Sequence, residues 1–348
     1  MDSPEPGETH GRYTFVKHLG QGQYGTVYLA LDTEHGDRAV AVKKIKMGGA
    51  AQAADGIPRD AVKEIKFLQE VKHENICQLL DVFGSDGNMH LVLEVCEGQD
   101  LEKLVHDKRL MFSAGDIKAF LLMTCKGLEY LHSHWVLHRD MKTANLLLTD
   151  KGVIKICDFG FATFFGSPSR ALSSQVVTLW YRAPELLMGA KVYGVGVDMW
   201  AVGCIQAELE QRFAIFPGEM TDLSQLEKIF TVMGTPSEES WPGVTALPNY
   251  VPFTEMKRVP LVHRFTAMSP DAVSLMEGLL SLCPEKRLTA TEALKHEYFS
   301  NEPGPTPIGR LPKALPPMEA EPAGGLKRRF AFDDDDVVEG GPAKMLKF

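Results

Sequence analysis

The sequence lacks features that mark several classes of protein. Its six cysteines include no Cys-x-x-Cys pair, so neither a zinc site nor a disulfide framework is indicated, and a reducing intracellular compartment fits best. No apolar run is long enough to cross a membrane, and the first ten residues have no signal-peptide pattern. We therefore expect a soluble protein without membrane partners.

Positive charge is also scarce. The net charge is -9, which disfavours a chain that holds nucleic acid by bulk electrostatic attraction, so we expect no direct nucleic-acid binding. No internal repeat is present. What the chain does have is 348 residues, 44% of them hydrophobic, which is enough for one large domain or for two lobes with a good core.

The spacing of apolar residues changes along the chain. Strand-like runs broken by glycines occupy 13–42, and similar runs return at 76–83 and 89–95. Helical spacing appears at 60–71 and then over the longer stretches 117–132, 197–209, 223–233 and 272–282. The sequence therefore predicts an α+β fold in which a small β-rich lobe precedes a larger, mainly helical lobe.

The composition shifts again near the end of the sequence. Residues 301–348 hold eight of the 21 prolines, and we predict a disordered tail there. Its basic cluster Lys327-Arg328-Arg329 and its acidic run 333–336 are interpreted as solvated charge. A nuclear-import signal in the basic cluster is the alternative.

Residues 138–145 carry groups that phosphoryl transfer needs. They read His138-Arg139-Asp140-Met141-Lys142-Thr143-Ala144-Asn145, and Asp158-Phe159-Gly160 follows. One carboxylate is placed to take a proton from a hydroxyl, and a lysine lies two residues further on. An amide and a second carboxylate are available to hold a divalent metal.

A glycine-rich stretch near the start of the chain fits the same chemistry. Gly20-Gln21-Gly22-Gln23-Tyr24-Gly25 would let a hairpin turn approach phosphates closely, because glycine has no Cβ. A dinucleotide-binding fold would open a helix at once, whereas here Val27 continues a strand. Lys43, in the next strand, can pair with phosphates if Glu64 fixes its position. Taken singly, these two residues would be an ordinary surface lysine and a solvated glutamate.

With these motifs in this order, the chain resembles the eukaryotic protein kinases over residues 12–300. The resemblance implies a bilobal fold with a β-rich lobe at 12–95, a hinge at 94–100 and a helical lobe at 101–300. It leaves a flexible segment at 1–11 and the tail at 301–348. It also implies ATP and Mg²⁺ as cofactors and transfer of the γ-phosphate to serine or threonine.

The same resemblance assigns roles to single residues. It implies that Lys43 pairs with Glu64, that Asp140 is the base that orients the substrate hydroxyl, and that Lys142 neutralises the migrating phosphoryl group. Asn145 and Asp158 would hold Mg²⁺. Three further assignments complete the catalytic region: Thr178 as part of the catalytic group, Asp198 as a brace of the catalytic loop, and Glu185 paired with Arg287.

The nucleotide site is assigned in the same way. Leu93 would guard the back of the adenine pocket, Glu94 and Cys96 would offer backbone hydrogen bonds, and Asp100 would hold the ribose. One extra residue in this region affects the register of Asp100. The full ATP-binding set implied by the resemblance is Leu19, Gly20, Gly22, Gly25, Val27, Ala41, Lys43, Leu93, Glu94, Cys96, Asp100 and Leu147.

Two stretches resemble the cyclin-dependent kinases in particular. Residues 56–65 resemble their cyclin-binding helix, and 177–185 resemble their activation segment. Glu64 should face the active site, which leaves Val62 and Ile65 on a second apolar face for a cyclin. Burying both would contribute roughly 3 to 6 kcal/mol. The alternative is that both side chains pack within their own lobe.

Residues 165–171, 189–204 and 298–307 resemble the activating branch of this family, which supplies the kinase subunit of the transcription factor TFIIH. That branch implies a cyclin of the H type, an assembly factor and TFIIH as partners, and a nuclear location, with the cytoplasm as a second location. Its substrates would be the C-terminal repeats of RNA polymerase II and the activation segments of other cyclin-dependent kinases. Leu179 and Tyr24 keep a cell-cycle kinase open as an alternative, and a catalytically inactive scaffold is the second alternative.

The resemblance also indicates how phosphorylation would act. Ser167 and Ser173 fall at phosphoacceptor positions, and Arg139 and Lys63 fall where the family senses phosphate. Lys63 replaces an arginine and cannot bind phosphate through two parallel hydrogen bonds. We therefore expect activation to depend less on phosphorylation than on the cyclin and an assembly factor. Ser/Thr-Pro substrates are expected, because proline has no amide N–H to leave unpaired.

Overall fold

The computed structural model describes residues 4–22, 25–45, 59–85, 87–96, 99–165 and 179–313. The first part is an antiparallel sheet of six strands in the order β1-β2-β3-β4-β6-β5. The strands are β1 (Thr9–His10), β2 (Tyr13–Gly22), β3 (Gly25–Asp32), β4 (Arg38–Ile45), β5 (Leu79–Ser85) and β6 (Asn88–Glu94), and helix α1 (Arg59–Glu70) lies between β4 and β5.

Alternation along β4 shows why this sheet forms. Val40 and Val42 are buried in an apolar cluster on one face of the sheet, together with Phe15. Ala41 and Lys43, which alternate with them, line a cavity on the opposite face. Because successive side chains of a strand point to opposite faces, one strand serves both the core and the site.

The second part is mainly helical. Its helices are α2 (Leu101–His106), α3 (Ala114–Ser133), α4 (Pro184–Leu187), α5 (Gly196–Gln211), α6 (Asp222–Met233), α7 (Leu261–Arg264), α8 (Pro270–Leu279) and α9 (Ala290–Leu294). Four short strands, β7 (Val136–Leu137), β8 (Leu146–Leu148), β9 (Ile154–Ile156) and β10 (Thr163–Phe164), form the pairs β7–β10 and β8–β9. The predicted α+β fold with a β-rich lobe followed by a helical lobe is confirmed.

Helix α3 begins where the sequence provides a strong start signal. The Ser113 hydroxyl accepts a hydrogen bond from the Asp116 N–H, and the Asp116 carboxylate accepts one from the Ser113 N–H. This reciprocal cap satisfies two backbone donors that a helix start would leave unpaired. Helices α3 and α5 then form the centre of the large core, where Trp200 and Phe120 are fully buried.

Both ends of the folded region differ from the prediction. The structure places Thr9–His10 in strand β1, paired with Tyr13 and Thr14, where a flexible segment at 1–11 was predicted. Beyond residue 300 the chain continues along α3: the Lys118 ammonium donates to the Asn301 carbonyl oxygen at 2.7 Å, and Leu311 is buried. The predicted tail therefore begins too early, because these contacts hold the chain to the large lobe as far as 313.

No helix among the described residues is both long and apolar enough to span a membrane.

Candidate active site

The loop at 138–145 is fixed by the first turn of α5. Asp198, which is 1% exposed, accepts hydrogen bonds from the backbone N–H groups of His138 at 2.9 Å and Arg139 at 2.8 Å. The His132 ring lies 3.0 Å from the same carboxylate. Burial raises the pKa of Asp198, but the hydrogen bond from His132, the neighbouring His138 ring and the Arg139 N–H together outweigh burial and lower it overall. A charged acceptor thus holds the loop backbone in place.

Asp140 lies at the centre of this loop and is bonded on two sides. The Lys142 ammonium donates to Asp140 Oδ2 at 2.8 Å, and the Asn145 amide donates to the same oxygen at 2.9 Å. Asn145 also donates to the Asp140 backbone carbonyl at 2.7 Å. These bonds fix the carboxylate of Asp140 in an orientation in which it can accept a proton from a bound hydroxyl.

The ammonium of Lys43 is held by two carboxylates, one from each lobe. Its ammonium donates to Glu64 at 2.7 Å and to Asp158 at 3.0 Å. Burial lowers the pKa of Lys43, but the two carboxylates outweigh burial and raise it, so the side chain stays charged. Burial raises the pKa of Glu64, an effect that the one ammonium shared with Asp158 does not fully offset. The pKa of Asp158 is lowered, because Lys43, His138 and Lys142 outweigh its burial.

A cavity of about 460 Å³ separates the sheet from the catalytic loop. That volume lies within the usual range for small-molecule and cofactor sites. Nearly all of the residues predicted to bind ATP line it, namely Leu19, Gly20, Gly25, Val27, Ala41, Lys43, Leu93, Glu94, Cys96, Asp100 and Leu147. Gly22 is the last residue of β2.

Two of the lining residues have the donor atoms that a magnesium ion prefers. Asn145 uses its amide nitrogen for the bonds to Asp140, which leaves its carbonyl oxygen for a metal, and Asp158 contributes a carboxylate. Among the described residues, no three His, Cys, Asp or Glu side chains form a group that could hold a metal ion. Mg²⁺ commonly takes only one or two protein ligands when phosphates supply others, so this pair fits the ion.

Asp100 caps a helix as well as lining the cavity. Its carboxylate caps α2, accepting from the Lys103 N–H at 2.8 Å and pairing with the Lys103 ammonium at 2.8 Å. The residue still lines the cavity. A ribose hydroxyl would therefore compete with a helix cap, and Gln99, also in the lining, is a second polar group at this point.

The two residues predicted to face a cyclin differ in burial. Val62 is 46% exposed, whereas Ile65 is partly buried and packs against the main core. The apolar surface that α1 offers to a cyclin is therefore smaller than predicted, because Ile65 points partly into the protein. Leu68, one turn after Glu64, is buried and lines the cavity beside it.

Of the two residues predicted to sense phosphate, only Arg139 has a described side chain. Arg139, whose φ is 66°, donates to the Phe161 carbonyl oxygen at 2.7 Å and to the Tyr193 hydroxyl at 3.0 Å. Tyr193 was not predicted. The side chain of Lys63, together with Ser167, Ser173, Thr178 and Tyr24, lies outside the described residues.

A buried polar cluster behind the catalytic loop was also missed. The Thr143 hydroxyl is 3.2 Å from the Tyr181 hydroxyl and 3.3 Å from the Glu208 carboxylate, and Tyr181 donates to Glu208 at 2.6 Å. Burial raises the pKa of Glu208, although both hydroxyl donors lower it in part. Helix α5 therefore holds the loop twice, through Asp198 before Asp140 and through Glu208 after it. The order of the motifs along the sequence did not indicate that these three side chains would meet.

Glu185 and Arg287 form the ion pair that the resemblance implied. Two guanidinium nitrogens of Arg287 donate to the two carboxylate oxygens of Glu185 at 2.7 and 3.0 Å. Arg287 also donates to the Gly196 carbonyl oxygen at the start of α5. Because both side chains are almost fully buried, this pair ties the stretch after the activation segment to the helix that supports the catalytic loop.

Comparisons with known proteins agree with this geometry. The protein kinase domain family matches residues 13–299. Cyclin-dependent kinase 7 of Xenopus laevis is 52% identical over 97% of this chain and 96% of its own length, and that of Caenorhabditis elegans is 46% identical over 97% and 99%. A solved structure of the CAK complex from Chaetomium thermophilum bound to ATP-γ-S matches with a TM-score of 0.81 and 41% identity, over 87% of this chain and 96% of that one.

Proposed function

The chain belongs to the protein kinase family, among cyclin-dependent kinases similar to cyclin-dependent kinase 7, and on that premise we propose which substrates and partners it serves. It is a serine/threonine protein kinase. We propose that it phosphorylates the C-terminal repeats of RNA polymerase II and the activation segments of other cyclin-dependent kinases. The observation that carries the proposal is that Asn145, which is hydrogen-bonded to Asp140 beside Lys142, lines the same cavity as the Lys43–Glu64 pair.

Each group around the cavity has a distinct task in this proposal. Asp140 accepts the proton of the substrate hydroxyl and orients it, while Lys142, 2.8 Å away, stabilises charge on the transferred group. Lys43 holds the phosphates of ATP and is itself held by Glu64. Asn145 and Asp158 would hold Mg²⁺, which supplies charge neutralisation at the phosphates when bound.

The proposed preference for proline after the target residue rests on the segment before α4. Arg182 lies half-buried there, 3.9 Å from Asp222, and Val177 precedes it outside the described residues. The proposal is that this pair offers no acceptor to the amide after the target residue, which favours proline at that position. Polymerase repeats would satisfy this preference directly. Activation segments without that proline would need additional docking contacts.

The partner we propose is a cyclin of the H type, docking against the half of α1 that carries the exposed Val62. Similarity to a kinase solved as part of a CAK complex supports an assembled form. An assembly factor and TFIIH are proposed as further partners, with a nuclear location. Phosphate on Ser167 and Ser173, read by Arg139 and Lys63, is proposed to contribute less than the cyclin.

A kinase assay of the natively purified complex tests this function. Polymerase-tail peptide and an unphosphorylated cyclin-dependent kinase are offered separately, and we expect both to be phosphorylated. Mass spectrometry of the same preparation should find TFIIH subunits. Phosphorylation of cell-cycle substrates with no TFIIH subunits would instead favour a cell-cycle kinase. The Asp140→Asn complex serves as the control for contaminating kinases.

A further inference from the structure

A short helical turn positions the two side chains that hold Asp140. The turn spans Thr143–Asn145 and is preceded by Lys142, and the Asn145 N–H donates to the Lys142 carbonyl oxygen at 3.0 Å across it. The Lys142 ammonium and the Asn145 amide both donate to the carboxylate of Asp140. A shift of this turn would therefore move the carboxylate as well.

The hydroxyl of Thr143 fixes the turn to helix α5. Thr143 is 0% exposed, and its hydroxyl lies 3.3 Å from each of the two carboxylate oxygens of Glu208. Glu208 is itself 3% exposed. Because a buried hydroxyl has no water to bond to, its position is set by the protein groups that accept its proton.

Tyr181 brings a second part of the chain to the same carboxylate. Its hydroxyl donates to Glu208 at 2.6 Å and lies 3.2 Å from the Thr143 hydroxyl. Burial raises the pKa of Tyr181, and the charge of Glu208 raises it further, so the phenol keeps its proton. Tyr181 ends the turn Leu179–Tyr181, directly before Arg182. The carboxylate of Glu208 thus joins the catalytic loop to the segment before α4.

A small cavity separates that segment from the catalytic loop. It has a volume of about 30 Å³, and its lining includes Asp140 and Met141 from the loop and Tyr181 and Arg182 from the segment. This volume is large enough for a water molecule. Since the loop and the segment are held apart here, the bonds among Thr143, Glu208 and Tyr181 provide a direct polar connection between them.

We propose that Thr143 is a positioning residue for phosphoryl transfer. Its hydroxyl holds the turn that carries the donors to Asp140, and through Glu208 it ties this turn to Tyr181. The place of the base is therefore coupled to the place of the segment before α4. This coupling rests on the proposed role of that segment in binding the protein substrate.

Kinetics of the complex purified with Thr143→Val test the proposal. Valine has nearly the shape of threonine but lacks the hydroxyl, so the turn loses its bond to α5 while its packing is kept. A displacement of 1 Å can cost about 100-fold in rate, and we expect kcat to fall roughly 10-fold to 100-fold. The KM for ATP should change little, because Lys43 and the hinge lie outside the turn.

Two further variants separate positioning from stability. Thr143→Ser keeps the hydroxyl and should restore kcat. Thr124→Val removes another buried hydroxyl, one that donates to the Phe120 carbonyl oxygen within α3 at 2.8 Å, and should keep kcat at the wild-type value. The thermal midpoint of each complex shows whether the assay is made on folded protein.

The link to the segment is tested by a double-mutant cycle. Tyr181→Phe removes the second hydroxyl and should lower kcat by itself. If the two hydroxyls act through one carboxylate, kcat of the double variant should stay close to that of the slower single variant rather than fall by the product of the two effects.

Three results would overturn the inference. These are equal kcat in Thr143→Val and Thr124→Val, no recovery with Thr143→Ser, or independent effects of Thr143→Val and Tyr181→Phe. The ratios are measured on any peptide that the wild-type complex phosphorylates. Failure of the proposed substrates would instead appear as a wild-type complex that does not phosphorylate polymerase-tail peptide.

Discussion

The catalytic loop and helix α1 both supply groups to the active site, but they are held in different ways. The loop is fixed on both sides of Asp140 by one buried helix, through Asp198 and through Glu208. Helix α1 reaches the site through the Glu64–Lys43 ion pair and through packing of its inner side. Its outer side carries Val62, which is 46% exposed.

Because of this difference, the residues proposed for catalysis and the helix proposed for regulation are held by different parts of the protein. The groups proposed to act on the hydroxyl are held by the core of the large lobe, so they are in place whenever that lobe is folded. Lys43, which is proposed to position the phosphates, depends on where α1 lies, because Glu64 must remain within hydrogen-bond distance of it. A partner that binds the outer side of α1 can therefore regulate the enzyme without touching the catalytic loop.

The largest effect is expected at the loop. Asp140→Asn removes the proton acceptor but retains the shape of the side chain, and kcat should fall by about 10² to 10⁴. Steady-state kinetics on a peptide substrate measure the loss. Asp150→Asn, on the exposed turn before β9, is the matched control and should leave kcat unchanged. Equal activity in both variants would mean that the loop does not perform the chemistry.

The second largest effect is a loss of stability, expected when the buried ion pair beside α5 is broken. Glu185→Ala leaves the Arg287 guanidinium buried without its carboxylate partner, and loss of one partner from a buried pair costs about 3 to 5 kcal/mol. Chemical denaturation should show this loss in the free energy of unfolding. Glu277→Ala breaks a half-exposed pair with Arg258 and should cost less than about 1 kcal/mol. Similar losses would contradict the view that the large lobe is a rigid platform.

A substitution on α1 tests whether this helix is held less firmly than the catalytic loop. Glu64→Gln weakens the charged hydrogen bond to Lys43, which is worth about 1.5 to 3 kcal/mol, so kcat/KM should fall roughly 10-fold to 100-fold. The thermal midpoint should change much less than in Glu185→Ala. Glu70→Gln, on an exposed position of the same helix, should preserve activity. A large drop in stability with Glu64→Gln would show that α1 is as firmly built as the loop.

The smallest effect is a pH dependence at the end of α5. Burial raises the pKa of Glu210 from 4.5 to about 7. The folded protein then binds this proton more tightly than the unfolded chain, so the free energy of unfolding falls as the pH rises between these two values. Relative to Glu210→Gln, the wild type should lose on the order of 1 kcal/mol over this range, which is less than the full shift would give because the side chain is partly exposed to solvent. Parallel pH profiles for the two proteins would contradict the assignment.

Local patterns were sufficient to predict much of the fold. Periodicity predicted α3 at 117–132 and α5 at 197–209, and the structure extends these helices to Ala114–Ser133 and Gly196–Gln211. The ends were missed because caps and tertiary contacts set them. The packing of residues 301–313 onto the large lobe was missed for the same reason, since burial of Leu311 is not visible in a proline-rich composition.

Within the site, motif order was enough to group Lys43, Glu64 and Asp140, whereas contacts between distant segments were not predictable. Thr143 and Glu208 are 65 residues apart and meet only after α5 folds beside the loop. Cys77, Cys96 and Cys157 likewise line one cavity although they are far apart in the sequence. Spacing in the sequence indicates which face of an element a residue occupies, but not which distant side chain it will contact.

The most direct test of the account is to measure activity with and without a cyclin of the H type, in the wild type and in Val62→Glu. Glutamate on the outer side of α1 should oppose an apolar partner surface and leave the cavity unchanged. We predict that the cyclin raises kcat strongly in the wild type and little in the variant, while both bind ATP equally well. Full activity of the isolated chain, or equal stimulation of both proteins, would contradict the claim that α1 is the controlled part of the site.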